Sequence, residues 1–172
     1  MKIDDIHSLF SKSSGISTDT RTIKKNNFFF CLKGDNFNGN LFIDQAIELG
    51  ASFVIYDEEK LNHKSENAFK VKNVLDTLQL LAKYHRSKFK IPIIGLTGSN
   101  GKTTSKELIN SVLSQKFNTT FTSNNFNNHI GVPLSILEIS KKTDIAIIEM
   151  GANQIGEIDQ LCNIADPNIG YI

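Results

Sequence analysis

The chain has 172 residues, of which 40% are hydrophobic and 22% are charged. These fractions are typical of a globular protein that can bury a sizeable core. The formal net charge of +1 gives no overall field that would favour nucleic acid or an anionic membrane as a partner. No stretch approaches the roughly 18 apolar residues of a membrane span, and the first ten residues lack the apolar core of a secretory signal. We therefore expect a cytoplasmic protein.

The two cysteines, Cys31 and Cys162, lie far apart in the sequence, each in apolar surroundings. Neither has metal-ligating neighbours at a suitable spacing. We predict buried free thiols, as in a protein of a reducing compartment.

The first half of the chain alternates between strand-like and helix-like segments. Aromatic or apolar runs predict strands at 27–34, 52–57 and 69–73. Apolar residues at helical spacing predict helices at 41–51 and 74–88. We therefore predict a small mixed α/β domain in residues 1–88.

The second half begins with a new strand and has a more regular alternation. Strands are predicted at 91–97, 119–122, 144–151 and 167–172, and helices at 102–116, 131–140 and 155–165. The order βαβαβαβ predicts a parallel sheet covered by helices in residues 89–172. On its first helix we expect four apolar side chains to face inward: Leu108, Ile109, Val112 and Leu113.

A glycine-containing turn joins the first strand of this half to its first helix, in IIGLTGSNGKTTSKELI (93–109). Backbone N–H groups of such a turn, together with a helix N-terminus, form a concavity that binds anions. Gly98 and Gly101 allow a positive φ and a close approach to phosphate. Lys102 is then placed to reach the β- and γ-phosphates of a nucleotide, and the Thr103 hydroxyl to ligate Mg²⁺.

The match to the P-loop pattern G-x-x-x-x-G-K-[ST] is incomplete, because Leu96 stands at the first glycine position and Gly95 precedes it. A chance Gly-Lys-Thr at a helix start is the alternative interpretation. The strand before the turn and the helix after it favour a phosphate site.

Glu149 lies at the carboxyl end of a predicted buried strand, where open α/β sheets place their ligands. Such an acid is by itself most simply a solvated strand end, but beside the loop we favour a metal-binding role. We predict Lys102 and Glu149 as catalytic residues, and Thr103 and Glu149 as metal ligands. The predicted nucleotide-binding residues are Gly98, Ser99, Asn100, Gly101, Lys102, Thr103 and Thr104.

Several segments together resemble the Mur ligases, cytoplasmic enzymes that build the peptidoglycan stem peptide. TGSNGKTT (97–104) resembles their ATP loop, and STDTR (17–21) with residues 28–51 resembles their nucleotide-sugar-binding N-terminal domain. NNFNNHIGVPLSIL (124–137) and EMGANQIGEI (149–158) are similar to the MurF branch in particular, which adds D-alanyl-D-alanine to UDP-N-acetylmuramoyl-tripeptide. The resemblance covers the whole chain in order.

The resemblance implies the front part of a three-domain enzyme, which agrees with a sequence that stops inside a predicted strand. Residues 1–88 would bind the UDP-sugar-peptide, and residues 89–172 would form the first part of a P-loop ATPase domain. It implies ATP and Mg²⁺ as cofactors and an acyl phosphate intermediate. We also expect a monomer, with no nucleic acid partner. We expect the chain to need its missing C-terminal portion for activity.

Two groups of polar residues have more than one interpretation. Spacing alone favours an ordinary polar loop at Ser17, Thr18, Asp19, Thr20 and Arg21, with Asp19 paired to Arg21, whereas the resemblance implies that they bind the UDP group. Asn125, Asn127 and Asn128 are either substrate contacts or turn formers. The chain departs from the common family pattern at Asn38-Gly39-Asn40, where Asp-Gly-His is frequent, and at Gln154, where a histidine is frequent.

Three other interpretations remain open. A related ligase that adds the third amino acid of the stem peptide shares the loop and the segment 17–21. A P-loop kinase or NTP-driven switch protein would need no UDP-sugar domain. A non-catalytic nucleotide-binding module is the third.

Overall fold

The computed structural model describes residues 1–61, 63–123 and 125–172. The chain divides into two compact units, Met1–Leu78 and Gln79–Ile172. Both units are α/β, as predicted, and each contains a four-stranded sheet whose strands are all parallel.

The first unit is built around a sheet whose strand order is β1-β2-β5-β6. Its strands are β1 (Ile16–Ser17), β2 (Phe28–Phe30), β3 (Lys33–Gly34), β4 (Phe37–Asn38), β5 (Phe53–Tyr56) and β6 (Ala68–Lys70), and its helices are α1 (Ile3–Phe10), α2 (Ile43–Glu48) and the start of α3 (Val74–Arg86). All three phenylalanines of β2 are fully buried at the centre of this sheet. β3 and β4 form a short antiparallel hairpin.

The predicted strands and helices of this unit are present, although most are shorter than expected. α1, β1 and the β3–β4 hairpin were not predicted. α1 has a readable signal, because Ile6 and Phe10 form its buried face and two acids occupy its first turn, where the helix dipole favours them. β1 and the hairpin strands have two residues each, too few to show a period.

In the second unit, every element predicted from the sequence is present, with ends that differ by a few residues. The strands are β7 (Ile93–Leu96), β8 (Thr119–Phe121), β9 (Ile145–Glu149) and β10 (Ile169–Tyr171), and the helices are α4 (Lys102–Leu113), α5 (Gly131–Leu137), α6 (Glu157–Ala165) and the remainder of α3. The strand order is β10-β7-β9-β8, so that β7 and β9 occupy the centre. Their residues are buried almost throughout, which explains their continuous apolar sequence.

The division between the two units falls inside α3, earlier than the boundary expected at residue 88. The second half of α3 is bonded to the second unit: His85 Nε2 lies 2.8 Å from the Ile139 carbonyl oxygen, and Arg86 Nε donates to the Ala165 carbonyl oxygen at 3.0 Å. These bonds account for the earlier division. The assignment of residues 1–88 and 89–172 as functional domains stays a prediction.

The prediction about the inward face of α4 was wrong for two of its four residues. Leu108 and Val112 are 64% and 72% exposed, whereas Lys106 is only 1% exposed. Two residues along a helix correspond to a rotation of about 200°, so burial of Lys106 turns Leu108 away from the sheet interface. The two exposed side chains line an apolar groove together with Ile94, Ile109, Leu113, Ile169, Gly170 and Tyr171.

Both cysteines are free thiols. Cys31 is fully buried, as predicted, and burial, with a smaller effect of the Asp57 carboxylate, raises the pKa of its thiol to about 12. Cys162 is only partly buried, and its sulfur lies 3.7 Å from that of Met150. Among the described residues, no helix has both the length and the apolar character that a bilayer crossing requires.

Asn40, which stands where the family often has histidine, is buried and links two loops of the first unit. Its Nδ2 donates to Asp57 Oδ1 at 3.1 Å, and its Oδ1 accepts the Asp57 backbone N–H at 3.0 Å. Asp57 Oδ2 in turn accepts the Val74 N–H at the start of α3. The asparagine therefore has a structural role here, since it satisfies polar groups that are withdrawn from water.

Gly39 gives the first prediction. A Cβ atom at this position would lie 2.7 Å from the Leu32 carbonyl oxygen and 2.8 Å from backbone atoms of Cys31. Gly39→Ala should lower the free energy of unfolding by about 1–3 kcal/mol, because backbone has to move. Gly34→Ala is the matched control: a Cβ there meets nothing within 4 Å, and its effect should be below about 0.5 kcal/mol. Urea unfolding followed by circular dichroism measures both, and equal effects would contradict the packing described.

Candidate nucleotide-binding site

The loop between β7 and α4 contains two glycines with positive φ. Gly98 has φ +142° and Gly101 has φ +74°, values that residues with a Cβ rarely adopt. The left-handed Gly101 directly precedes the first residue of α4. The first N–H groups of a helix have no partner inside the helix, so α4 presents donors and a positive dipole end at this loop.

Gly95, which stands one position before the P-loop glycine, has a different role. It lies inside β7, and a Cβ there would be 3.0 Å from the Pro167 side chain and 3.4 Å from that of Met150. Its small size therefore permits close packing of the strand. The loop itself uses only Gly98 and Gly101.

Lys102 is the first residue of α4, and its ammonium remains over the loop. Nζ donates a hydrogen bond to the Gly98 carbonyl oxygen. The side chain thus curls back toward the turn that would surround a phosphate. Ser99, Asn100 and Thr104 lie on the exposed part of the loop and of the first helical turn.

Glu149 lies beside this loop because of the register of the sheet. β7 and β9 are parallel, and Leu96 pairs with Glu149, so both strands end at the same edge. The Thr103 hydroxyl lies 3.1 Å from Oε2 and 3.3 Å from Oε1 of Glu149. The carboxylate is 1% exposed. The two predicted metal ligands are therefore in contact, and their role as ligands stays a prediction.

The residues that contact Glu149 include one that the sequence analysis missed. Lys106, one turn after Thr103, is fully buried; its Nζ donates to the Thr122 carbonyl oxygen at 2.7 Å and lies 4.0 Å from Glu149 Oε2. The lysine itself does not indicate burial, because lysines on helices are mostly exposed. The one available hint was its spacing of three residues from Thr103, which places both side chains on the same face of α4.

The three predicted asparagines have different environments. The Asn127 side-chain Nδ2 donates to Glu149 Oε1 at 2.9 Å. The Asn127 backbone carbonyl oxygen accepts the Gly151 N–H at 2.7 Å. Asn128 Oδ1 accepts the backbone N–H groups of Ile130 and Gly131 at the start of α5, as a turn former does. Asn125 is exposed. Asn124, where the family-like segment begins, lies outside the described residues.

Ser17, Thr18, Asp19, Thr20 and Arg21 form a self-contained polar loop in the first unit. Asp19 accepts the Arg21 Nε–H at 2.9 Å and the Arg21 backbone N–H at 2.9 Å. The Arg21 side chain and backbone donors hold the pKa of the Asp19 carboxyl below its usual value. Ser17 is buried and donates to the Asp19 carbonyl oxygen at 2.8 Å. The Asp19–Arg21 pair expected from spacing is present.

Near the second departure from the family pattern, the N–H groups of Asn153 and Gln154 both donate to Glu157 Oε2, at 2.6 Å and 3.2 Å. These bonds, the Asn153 bond first, lower the pKa of the Glu157 carboxyl. The contact fixes the turn before α6, and it uses the backbone of Gln154, so it does not depend on a histidine at that position.

The donor set at Glu149 fits Mg²⁺ bound together with phosphates. Within the described ranges, no group of three or more His, Cys, Asp or Glu side chains is arranged to hold a metal. One carboxylate and one hydroxyl are, however, what the protein usually contributes when Mg²⁺ takes its other ligands from phosphates and water. Oxygen ligands of this kind suit Mg²⁺ and give no site for a softer metal.

The arrangement is typical of P-loop proteins. A buried strand leads into a loop with two glycines at positive φ, and the following helix begins with Lys-Thr beside an acid on the neighbouring strand. Comparison with known proteins identifies the class more narrowly. Residues 12–86 match the Mur ligase family, catalytic domain, and residues 96–172 match the Mur ligase middle domain. The chain belongs to the Mur ligase family.

Individual relatives agree with this membership. The chain is 42% identical, over 159 residues, to the UDP-N-acetylmuramoyl-tripeptide–D-alanyl-D-alanine ligase of Bacillus subtilis; the match covers 92% of the chain and 35% of that enzyme. MurF from Acinetobacter baumannii superposes with a TM-score of 0.85 at 30% identity, covering 98% of this chain and 40% of that one. MurF from Thermotoga maritima in complex with ADP gives 0.80 at 34% identity, covering 97% and 37%. The chain thus spans about a third of these relatives' length.

Asn127 gives the second prediction. Asn127→Ala removes the amide that donates to the buried Glu149 carboxylate, and loss of a hydrogen bond to a charged group should cost about 1.5–3 kcal/mol of unfolding free energy. Asn125→Ala, on the same loop but exposed, is the control and should cost less than about 0.5 kcal/mol. Urea unfolding of the two variants compares them; an equal cost would show that the Asn127 contact does not hold the carboxylate.

Proposed function

We propose that this chain carries the substrate-binding and part of the nucleotide-binding portion of an ATP-dependent ligase. The ligase joins D-alanyl-D-alanine to UDP-N-acetylmuramoyl-tripeptide in peptidoglycan precursor synthesis in the cytoplasm, as a monomer. The observation that carries the proposal is the 3.1 Å contact between the Thr103 hydroxyl and the Glu149 carboxylate beside the glycine loop. The name of the Bacillus subtilis relative supports the substrates, and the Thermotoga maritima complex with ADP supports the nucleotide.

The proposed reaction has two steps. The terminal carboxylate of the tripeptide attacks the γ-phosphorus of ATP, ADP leaves, and an acyl phosphate forms. The amine of D-alanyl-D-alanine then attacks the acyl carbon, loses a proton, and displaces inorganic phosphate to give the amide. The first step brings together two anions, so catalysis consists mainly of neutralising charge and positioning the reactants.

The residues of the loop have separate roles in this proposal. The Lys102 ammonium leaves the Gly98 carbonyl oxygen to contact the β- and γ-phosphates, and the N–H groups of residues 98–104 surround them. Thr103 and Glu149 would hold Mg²⁺, directly or through water. When bound, the ion neutralises phosphate charge as a Lewis acid. Asn127 orients the Glu149 carboxylate through its 2.9 Å hydrogen bond.

In the first unit, we assign the UDP group to the loop that contains Ser17, Thr18, Asp19, Thr20 and Arg21. The Arg21 side chain is 86% exposed and carries its guanidinium at the loop surface. A diphosphate would compete with Asp19 for this guanidinium, and bidentate pairing suits either anion. We also assign Asn125 and Asn128 to the muramoyl-peptide substrate.

Lys102 gives the third prediction. In the full-length ligase, Lys102→Ala should reduce phosphate release that depends on D-alanyl-D-alanine by about 100-fold or more, because the charge on the transferring phosphoryl group loses its ammonium. The affinity for the UDP-substrate should change less than about threefold, since the first unit is unaltered. Lys116→Ala, an exposed lysine just after α4, is the control. Unchanged phosphate release in the Lys102 variant would refute the loop assignment.

The fourth prediction separates the ligase from its rivals by substrate. Full-length enzyme with ATP should release phosphate with UDP-N-acetylmuramoyl-tripeptide and D-alanyl-D-alanine together, and not with UDP-N-acetylmuramoyl-dipeptide and a diamino acid. The difference is expected because binding sites discriminate strongly against substrates that leave buried polar groups unpaired. Release with the second pair would identify the ligase of the third amino acid. Release that needs neither pair would identify a P-loop NTPase.

A further inference from the structure

The second unit buries an ammonium and a carboxylate side by side at the end of β9. Lys106 and Glu149 are each 1% exposed, and their charged atoms are 4.0 Å apart. Lys106 Nζ is also fixed by the Thr122 carbonyl oxygen at 2.7 Å, while the Thr122 hydroxyl accepts the Glu149 backbone N–H at 2.9 Å. Lys106 and Glu149 therefore interact directly as an ion pair, and both also form a hydrogen bond with Thr122.

Position and distance both indicate that Lys106 acts as a counter-ion. A carboxylate this deeply buried needs a partner of opposite charge, since burial of an isolated charge is strongly unfavourable. Thr103 and Asn127 donate hydrogen bonds to Glu149 but bring no charge. Among the described residues, Lys106 is the cation that reaches this carboxylate within 4.0 Å.

We propose that Lys106 is the resident counter-ion of Glu149 and makes divalent-cation binding at this site depend on nucleotide. With Lys106 in place, the negative charge that a free divalent ion would seek is already balanced. The proposal rests on the assignment of Glu149 as a metal ligand in the proposed function, and it adds a positioning residue that controls when the ion binds.

A count of the neighbouring charges supports this dependence. Lys102 and Lys106 contribute two positive charges, and Glu149 contributes one negative charge. Glu107 contributes a second negative charge 3.1 Å from Lys106 Nζ, on a side chain that is 55% exposed. The site therefore has no surplus of negative charge to attract a bare divalent ion. Nucleotide phosphates bring that surplus, so the ion and the nucleotide should arrive together.

The test measures the binding of Mn²⁺ alone to the 172-residue chain, by the electron paramagnetic resonance signal of free Mn²⁺ at about pH 8. Lys106→Met keeps the length of the side chain and removes its charge. We expect this variant to bind Mn²⁺ at least roughly tenfold more tightly than the unaltered chain, because a unit charge a few ångströms from the ion is worth more than this factor. The difference in Mn²⁺ affinity between the two chains should disappear in the presence of saturating ADP, because the nucleotide phosphates then allow the unaltered chain to bind the ion as well.

Two control variants separate this role from a structural one. Lys106→Met combined with Glu149→Gln removes both charges and should show no gain, because the ligand is lost as well. Lys116→Met removes an exposed lysine and should behave like the unaltered chain. Thermal unfolding gives a second readout: Mn²⁺ should raise the unfolding midpoint of Lys106→Met alone, since the ion replaces the missing positive charge. If Lys106 only supported the Thr122 carbonyl, Mn²⁺ would not have this effect.

The outcomes are distinct from those that test the ligase itself. Tight binding of Mn²⁺ to the unaltered chain without nucleotide, or no gain in Lys106→Met, would overturn the counter-ion proposal and leave the ligation assays unaffected. If Lys106→Met does not fold, refolding it with and without Mn²⁺ decides the matter. Folding only with Mn²⁺ supports the proposal, and failure under both conditions overturns it. A failed ligation assay with a normal Mn²⁺ response would refute the proposed reaction alone.

Discussion

The site depends on one constraint, the parallel register of β7 with β9. Leu96 pairs with Glu149, so the loop that follows β7 and the last side chain of β9 lie at the same edge of the sheet. β8 is also parallel to β9, with Phe121 paired to Ile147. This register places Thr122 next to Glu149. A shift of one residue in β9 would turn Glu149 to the opposite face of the sheet. The position of Glu149 relative to the glycine loop is therefore fixed by backbone pairing, and the apolar interior of both strands enforces that pairing.

The sequence predicted the second unit better than the first, for a physical reason. Buried parallel strands leave long apolar runs, as at 91–97 and 144–151. In the first unit, β1 and the β3–β4 hairpin are held by tertiary pairing of two-residue segments, which carry no periodic pattern. The face of α4 was misread because apolarity was taken as the sign of burial. Lys106 is buried on that helix instead, where a charge on the neighbouring strand requires it.

The geometry of the candidate site was predictable where it depends on the backbone. Gly98, Gly101 and Lys102 follow from the strand–turn–helix pattern, and Glu149 follows from the rule that ligands lie at strand ends. Side chains whose role depends on a distant partner were not decided by the sequence. Asn127 and Asn128 were equivalent by spacing, yet Asn127 contacts Glu149 and Asn128 accepts the backbone N–H groups of Ile130 and Gly131. Such differences arise from the path of the loop, which Gly131 constrains: a Cβ there would lie 2.3 Å from the backbone of Phe126.

The cost of the Glu149 cluster is itself an argument for function. A buried ion pair is often no more stabilising than apolar side chains of similar volume, so stability alone would favour replacing Lys106 and Glu149 by packed hydrophobic residues. The chain instead surrounds Glu149 with a hydroxyl, an amide and an ammonium, at the strand end that adjoins the glycine loop. Departures from the best packing are expected where a fold carries out its chemistry. The position of this departure, beside a loop already suited to phosphate, connects the polar cluster with nucleotide binding.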